Sequence, residues 1–416
     1  MILVQNHRLP LSGSKILAFV LLLGTLGACA PKVLRPGGGS KDTKEPSKEA
    51  PTKEERKERD KEIVEKRHFN NIALLLPFQL DKVVDSLPGK RDVERASLAL
   101  DFYQGFKLGL DNLTRNGNNF KLEVLDSRDN AGEVKRLAVG KSVEEAALIV
   151  GPIFPTEIDA FSTAANLAGK LQISPLAARS PSQYQTNKLV TVTPPIGVHA
   201  QVLANYIASE FEIGDHVVII NNIDEDSEKL LVPLRASLDK LDVKYNEVTD
   251  LGEIEINLNT VGRNIVVNAS TNQFFIAQLL AGLYKLKTES AYDISLIGHP
   301  NWSRFDLNPD YLAALRTSIS SSYFVDEKNL EVQQFKRDYF SSFNVNPTEF
   351  AFKGYDTGVF FGRLLAMYPK DYADRLLKEK HKGVSIGFEF VRDPATGYVN
   401  NSVRLLQFNG QSYRPL

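Results

Sequence analysis

Few residues of this chain have the types and spacings that catalysis or metal binding needs. Cys29 is the only cysteine in 416 residues. After Cys29 no thiol remains for a disulfide, a cysteine-held cluster, a zinc-cysteine site or a cysteine nucleophile. Gly140-Lys141-Ser142 matches the end of a phosphate-binding loop, but Lys135 stands where the first glycine of that loop belongs. Ser237-Leu238-Asp239-Lys240 fits Ser-x-x-Lys, which could pair a nucleophile with a base. It lies in the middle of a helical stretch and lacks the Ser-Asp-Asn and Lys-Thr-Gly partners. The six histidines are scattered without metal-ligand spacing, and no Gly-x-Ser-x-Gly elbow occurs. The expectation is a protein that is not an enzyme and holds no cofactor or metal. Formal net charge is −1, with 50 Lys and Arg against 51 Asp and Glu. No clustered basic face suggests nucleic acid.

The surroundings of Cys29 suggest another use for the thiol. Arg8 and Lys15 precede an apolar run from Ile16 to Leu26. That run is well short of the roughly 20 residues that span a bilayer. A basic start, a short apolar core and small residues before a cut site describe a secretory signal peptide. Leu26-Gly27-Ala28-Cys29 resembles the lipobox of bacterial lipoproteins. The resemblance implies removal of residues 1–28, which takes away Arg8 and Lys15 and leaves a charge near −3. It also implies that Cys29 carries the lipid, such as palmitate, as the only membrane attachment. Ala30 lies where an acidic residue would suggest inner-membrane retention, so the expected location is the outer membrane, facing the periplasm. Residues 29–68 read as a charged tether. Lys41 to Arg67 holds ten Lys or Arg and nine Asp or Glu, too polar to offset the entropy of ordering. Fully extended, its reach is at most roughly 130 Å.

From Asn71 the chain alternates strand and helix. Ile72 to Leu76 is a continuous apolar run stopped by Pro77, as in a strand buried on both faces. Ala99, Phe102, Phe106, Leu110 and Leu113 form a helical stripe within 94–113. The alternation continues with strands at 120–125, 147–150 and 171–174 and helices at 131–142 and 156–167. After Pro194-Pro195 it resumes, with helices at 198–211, 227–241 and 271–286 and strands at 216–221, 243–248, 264–268 and 293–298. Two further helices fall at 330–343 and 350–367, and two strands at 384–391 and 403–408. This pattern predicts an α/β protein of two lobes, each a parallel sheet flanked by helices.

The order and spacing of several stretches resemble the type I periplasmic-binding-protein family, which includes amino-acid ABC transporter substrate-binding proteins and receptor ligand-binding regions. The stretches are Ile72 to Phe78, Phe102-Tyr103-Gln104-Gly105-Phe106, Val150-Gly151-Pro152, Leu296 to Trp302, Ser322-Tyr323-Phe324 and Ala351 to Asp356. The opening strand with Gly151-Pro152 is also similar to the lipoproteins that activate penicillin-binding proteins. The resemblance implies three crossovers between lobes. Lobe one would be residues 69–193 plus 322–382, and lobe two 196–320 plus 384–416. It further implies a cleft lined by the carboxyl ends of the strands.

The candidate cleft residues are Phe78, Gly151, Pro152, Phe154, Ala178, Arg179, Ser180, Asn222, Ser270, His299, Trp302, Tyr355 and Asp356. Gly151 to Glu157 leaves a strand and enters a helix, whose free N–H groups could hold a carboxylate or serve the turn only. Ala177-Ala178 lies where amino-acid binders supply small hydroxyl residues. Arg179 could pair with an anion or remain an exposed loop residue. Trp302 could stack on a ligand or pack between elements. Tyr355-Asp356 is expected to open a helix, as a cap, a hinge support or a ligand contact. Phe78 to Arg95 reads as a charged loop beside the cleft, either a lid, a partner surface or a solvated segment. The expected partner is a small polar ligand, an amino acid, peptide or cell-wall fragment, bound by hinge closure. The alternative is a peptidoglycan synthase regulated by protein contact, with no transport role.

Overall fold

The structure, a computed structural model, describes residues 70–416 except 86–88, 180, 185 and 394–396. The expected signal peptide 1–28, Cys29, the expected tether 29–68 and Ser180 lie outside the described residues.

β1 (Asn71–Leu76) is buried along its whole length. Successive side chains of a strand point to opposite faces, so Ile72, Leu74 and Leu76 enter one core while Ala73 and Leu75 enter another. The chain continues through α1 (Leu80–Asp85), α2 (Lys90–Arg115), β2 (Lys121–Asp126), α3 (Ala131–Ala138), α4 (Lys141–Glu145), β3 (Leu148–Val150), α5 (Pro155–Ala164), β4 (Gln172–Ser174) and β5 (Leu189–Thr191). The expected single helix over 131–142 is divided at Gly140, the extended N-cap of α4. The expected loop from Phe78 to Arg95 contains α1 and the start of α2.

The second half-fold comprises α6 (Ile196–Glu210), β6 (His216–Ile220), α7 (Glu225–Lys240), β7 (Asn246–Val248), β8 (Arg263–Asn268), α8 (Gln273–Glu289), β9 (Asp293–Gly298), α9 (Pro309–Ala314) and β10 (Ser318–Ser321). The chain then forms α10 (Leu330–Phe343), α11 (Glu349–Met367), α12 (Tyr372–Arg375), β11 (Lys380–Lys382), β12 (Gly387–Asp393), β13 (Gly397–Asn400), β14 (Arg404–Phe408) and β15 (Tyr413–Pro415).

Two mixed, mostly parallel sheets result. The first has the order β11-β12-β13-β5-β4-β3-β1-β2, and the second β15-β14-β10-β9-β8-β6-β7. β10 and β14 pair antiparallel, Ser318 opposite Gln407. The fold is the two-lobe α/β architecture expected, with three crossovers at 192–195, 322–329 and 401–403. One boundary is corrected. Residues 384–400 do not belong with the second lobe, because β12 pairs with β13, and β13 with β5, in the first sheet. Only the final hairpin, β14 and β15, returns to the second sheet. The aromatic core under α11 explains this: Phe388 of β12 stacks on Phe360 of α11, with ring centres 4.4 Å apart.

The closest helix crossing in the first lobe is α2 on α11. A Cβ on Gly354 would lie 2.1 Å from the carbonyl oxygen of Phe102, and one on Gly105 1.9 Å from that of Ala351. Each helix places further glycines at four-residue spacing, Gly109 on α2, and Gly358 and Gly362 on α11. Residues four apart share a helix face, so the two backbones meet along a glycine seam.

Candidate functional site

A cleft of about 1070 Å³ lies between the lobes. Leu176 and Ala178 reach it from the end of β4, and Thr193 and Pro194 from the first crossover. His299 to Leu307 follow β9, and Ser321 to Val325 follow β10. Glu349, Phe350 and Lys353 enter from the first turns of α11, and Leu406, Phe408 and Tyr413 from the final hairpin. Aromatic side chains form part of the wall, through Phe305, Tyr323, Phe324, Phe350, Phe408 and Tyr413. Polar side chains line much of the rest, among them Thr193, Asn301, Asp306, Ser322 and Gln411, and three charged ones are grouped. Glu349 accepts hydrogen bonds from Arg304 at 2.8 and 3.0 Å and from Lys353 at 2.6 Å. Arg304 follows β9 and Glu349 opens α11, so this ion pair spans the two lobes. Lys353 also lies over the Tyr323 ring, 5.7 Å from its centre.

Two histidines lie deeper. His199 of α6 shares a 3.0 Å hydrogen bond with Ser320 Oγ. His299 accepts at Nδ1 from the Asn301 N–H at 3.1 Å, as cap of the short 3-10 turn Pro300–Arg304. Burial lowers both pKa values to about 4, so both rings are neutral at pH 7. Burial also lowers His381 to about 4. A histidine whose folded pKa lies below its unfolded value stabilises the fold above pH 6.5, and that stability is lost as pH falls toward 4. Asp356 has the opposite sign: burial raises its pKa to about 6, so its contribution is present at low pH and lost as pH rises through 6. Three histidines outweigh Asp356 and Glu157, the two carboxyl groups whose pKa burial raises. Acidification from pH 7 to 4.5 is therefore expected to destabilise the protein by about 2 kcal/mol or more. Thermal unfolding at the two pH values checks this. An unchanged midpoint, or no flattening of the slope in His199→Gln, would refute it.

Of the sequence candidates, Ala178, His299 and Trp302 line this cleft. Trp302 is 1 % exposed, and its indole N–H donates to the Ser270 carbonyl at 2.9 Å. Its ring also lies over Gly298, where a Cβ would come within 2.2 Å. The side chain thus packs β9 against the β8 exit, and Ser270 is spent on that contact. Phe78 lies outside the cleft, edge-on to Tyr103 at 6.0 Å. Gly151 has φ +97°, and a Cβ there would meet the Leu75 carbonyl oxygen at 2.1 Å, so glycine is required by the turn. Pro152 is buried beside it. Arg95 covers the Phe154 ring at 4.5 Å. Arg179 is exposed, with its guanidinium 5.9 Å from the Tyr184 ring centre. Asn222 holds the cap of α7, accepting from Ser227 Oγ at 2.9 Å and donating to Asp224.

The strand-to-helix turn at Gly151–Glu157 ends in a buried carboxyl group. Glu157, in the first turn of α5, is fully buried. Burial raises its pKa, opposed by the Ser127 hydroxyl, the Phe154 and Asn130 N–H groups and Arg95. None of these reaches its oxygens with good hydrogen-bond geometry. Glu157 is thus a buried carboxyl group without a hydrogen-bond partner among the described residues, beside the turn expected to hold a ligand's carboxylate. The reason the outer strand ends do not reach the cleft is strand order. β4 and β5 stand nearest the crossovers in the first sheet, and β9 and β10 in the second.

Tyr355 and Asp356 do not open a helix, because α11 begins at Glu349 under the cap of Thr348. The Tyr355 hydroxyl accepts from Asn112 at 3.1 Å. Asp356 is buried and accepts from the N–H groups of Val384, Ser385 and Ile386 at 2.8, 2.8 and 2.9 Å, and from Ser385 Oγ at 2.6 Å. The Ser385 carbonyl in turn accepts from Phe324 N–H in the second crossover at 2.9 Å. Asp356 thus anchors the hinge from behind and does not line the cleft. The two motif fragments are also explained. Lys141 pairs with Glu145 at 3.3 Å, and Ser237 Oγ donates to the Pro233 carbonyl at 2.8 Å. Among the described residues, no group of three His, Cys, Asp or Glu could hold a metal, and no helix is long and apolar enough to cross a membrane.

Two α/β lobes, three crossovers and a cleft at the strand ends define the type I periplasmic-binding-protein-like fold. Solved structures agree with this class. A protein from Rhodospirillum rubrum assigned as a branched-chain amino acid ABC transporter superposes with a TM-score of 0.60 at 15 % identity, over 83 % of this chain and 99 % of its own. An ABC transporter substrate-binding protein from Desulfitobacterium hafniense, in complex with Leu, gives 0.52 at 15 % identity, over 83 % and 99 %. Full-length LpoA from Haemophilus influenzae gives 0.56 at 14 % identity, and this chain spans 83 % of itself and 59 % of that chain. No family model and no curated protein matches the chain.

Proposed function

We propose that the protein is a non-catalytic binding protein of a bacterial cell envelope, lipid-anchored at Cys29 in the outer membrane. Its interlobe cleft takes a small polar ligand as the lobes hinge together. The observation that carries this reading is the cleft itself, about 1070 Å³, lined by aromatic and polar side chains with the charged set Lys353, Glu349 and Arg304 grouped on one side. Small-molecule sites are mostly apolar with a few convergent polar groups and hold roughly 300–1,000 Å³. A volume at the top of that range favours a peptide or cell-wall fragment over a single amino acid. The alanines of the β4 exit, where amino-acid binders present hydroxyls, point the same way. Lys353 supplies the cation for a ligand carboxylate, and Glu349 and Arg304 exchange partners as the lobes close.

Thermal-shift titration with leucine, a tripeptide and a muropeptide tests the reading. A rise in midpoint with the peptide or muropeptide, lost in Lys353→Gln, is expected. No shift with any of them at millimolar concentration would overturn it. The Arg304–Glu349 pair favours a second reading, in which the lobes form one rigid body. That body would contact a peptidoglycan synthase, as the likeness to LpoA, a penicillin-binding-protein activator lipoprotein, supports. Crosslinking in intact cells separates the two: a synthase captured in place of a permease supports the second.

A further inference from the structure

A second cavity, of about 450 Å³, lies beside the third crossover and shares no lining residue with the cleft. Its walls are Lys380, His381 and Lys382 of β11 and Glu389 of β12 on one side, with Ser402 and Arg404 on the other. Lys380 pairs with Glu389, so their charges are mutually satisfied. Lys382 and Arg404 have no ion-pair partner among the described residues. Arg404 is half-buried, a costly place for an unpaired guanidinium. Burial lowers its pKa, and Asp356 opposes that from beyond ion-pair distance. Asp356 itself is occupied by Val384, Ser385 and Ile386. His381 is neutral and can donate one N–H. The Ser402 hydroxyl also has no protein partner among the described residues, and it lies 2.0 Å from where a Cβ on residue 387 would stand, so Gly387 leaves it room.

We propose that this cavity binds a compact oxyanion of two negative charges, of the phosphate class, between Lys382 of the first lobe and Arg404 of the second. Two unpaired cations match a dianion. The arginine fork suits a phosphoryl group and the lysine acts as a point charge. Because β11 belongs to the first sheet and β14 to the second, the bound anion ties the lobes together at the hinge. This site does not depend on the ligand proposed for the cleft.

The test is calorimetric titration of the full chain with inorganic phosphate at constant ionic strength and pH 7.5. Acetate serves as a monoanion and glycerol phosphate as an ester. Saturable phosphate binding is expected, weakened about tenfold or more in both Lys382→Gln and Arg404→Gln. Lys382 is exposed, so its variant reports on binding even where Arg404→Gln folds poorly. Ester binding equal to phosphate would identify a phosphorylated molecule as the source, and weaker ester binding the free ion. Linear heats without saturation, acetate binding equal to phosphate, or unchanged affinity in Lys382→Gln would overturn the assignment.

Discussion

Replacing Asp356 with alanine is expected to lower stability by about 4 kcal/mol, because one side chain holds a whole segment in place. Three backbone N–H groups and one hydroxyl converge on its carboxylate. A hydrogen bond to a charged group contributes about 1.5–3 kcal/mol, and a buried donor left without a partner costs about 1–3 kcal/mol. Alanine leaves all four donors orphaned in a site where Asp356 is 1 % exposed. Removing a buried charge returns part of its desolvation cost, which keeps the total below the simple sum. Gly383 shows how closely the site is fitted: a Cβ there would lie 2.4 Å from the carboxyl carbon of Asp356. Urea denaturation followed by circular dichroism measures the loss. Amide exchange localises it, with Val384, Ser385, Ile386 and Phe324 expected to lose protection first. A midpoint within error of the parent would show that this clamp is not what holds the crossover. Asp356→Asn separates charge from shape. Its amide cannot accept all four bonds, so it destabilises as well, but it removes the share of the pH slope that Asp356 contributes near pH 6.

How much of this was legible follows from what each residue's signal depends on. β1, β6 and β8 were readable because a strand buried on both faces writes a continuous apolar run, such as Ile72 to Leu76. β10 was not. Ser318-Ile319-Ser320-Ser321 is polar, and Ser318 and Ser320 are buried only because β14 pairs beside it and His199 bonds Ser320. Such burial rests on contacts more than 80 residues apart, which no local pattern records. The third crossover was misplaced for the same reason. The strand expected at 384–391 overlaps β12 at 387–393, but its sheet is decided by Phe388 on Phe360 and by β13 on β5.

The candidate site divides along the same line. Strand ends could be found from the sequence, so His299 and Trp302 were named. Their roles could not, since the Trp302 bond to Ser270 is long-range. Glu349, Lys353, Tyr323 and His199 were missed as lining residues. A helix start carrying Glu349 and Lys353 at i,i+4 spacing was the one local signal available. Glu157 was seen only as part of a turn that could bind a carboxylate, and its own carboxyl group is buried there. Asp356 was placed at a helix start although the apolar stripe from Phe350 already puts it beyond the first turn, and the cap is Thr348.

The second large effect is expected at the glycine seam. Gly354→Val should destabilise the protein by more than about 3 kcal/mol, beyond the usual cost of overpacking. That usual cost is modest because side chains can change rotamer. Here the first atom added meets backbone: the Phe102 carbonyl oxygen at 2.1 Å and the Phe106 nitrogen at 2.9 Å. Helix backbones cannot yield locally, so α2 and α11 must move apart. Separation would strip contact from Phe102, Phe106, Phe360 and Phe361, which share one core. Full burial of such side chains contributes about 1.5–3 kcal/mol each, so partial exposure of several exceeds any gain in helix propensity. Gly282→Ala on α8 is the control. It is exposed, nothing lies within 4 Å of the added carbon, and alanine there should stabilise by about 0.5–1 kcal/mol. Opposite shifts in the urea midpoint for the two variants are the expected result. A neutral Gly354→Val would mean that the helices cross farther apart than the seam requires. A large loss would be carried to the cleft as well, because α11 presents Glu349 and Lys353 from its first turns. The variant should therefore weaken any cleft ligand even at temperatures where most of the protein remains folded.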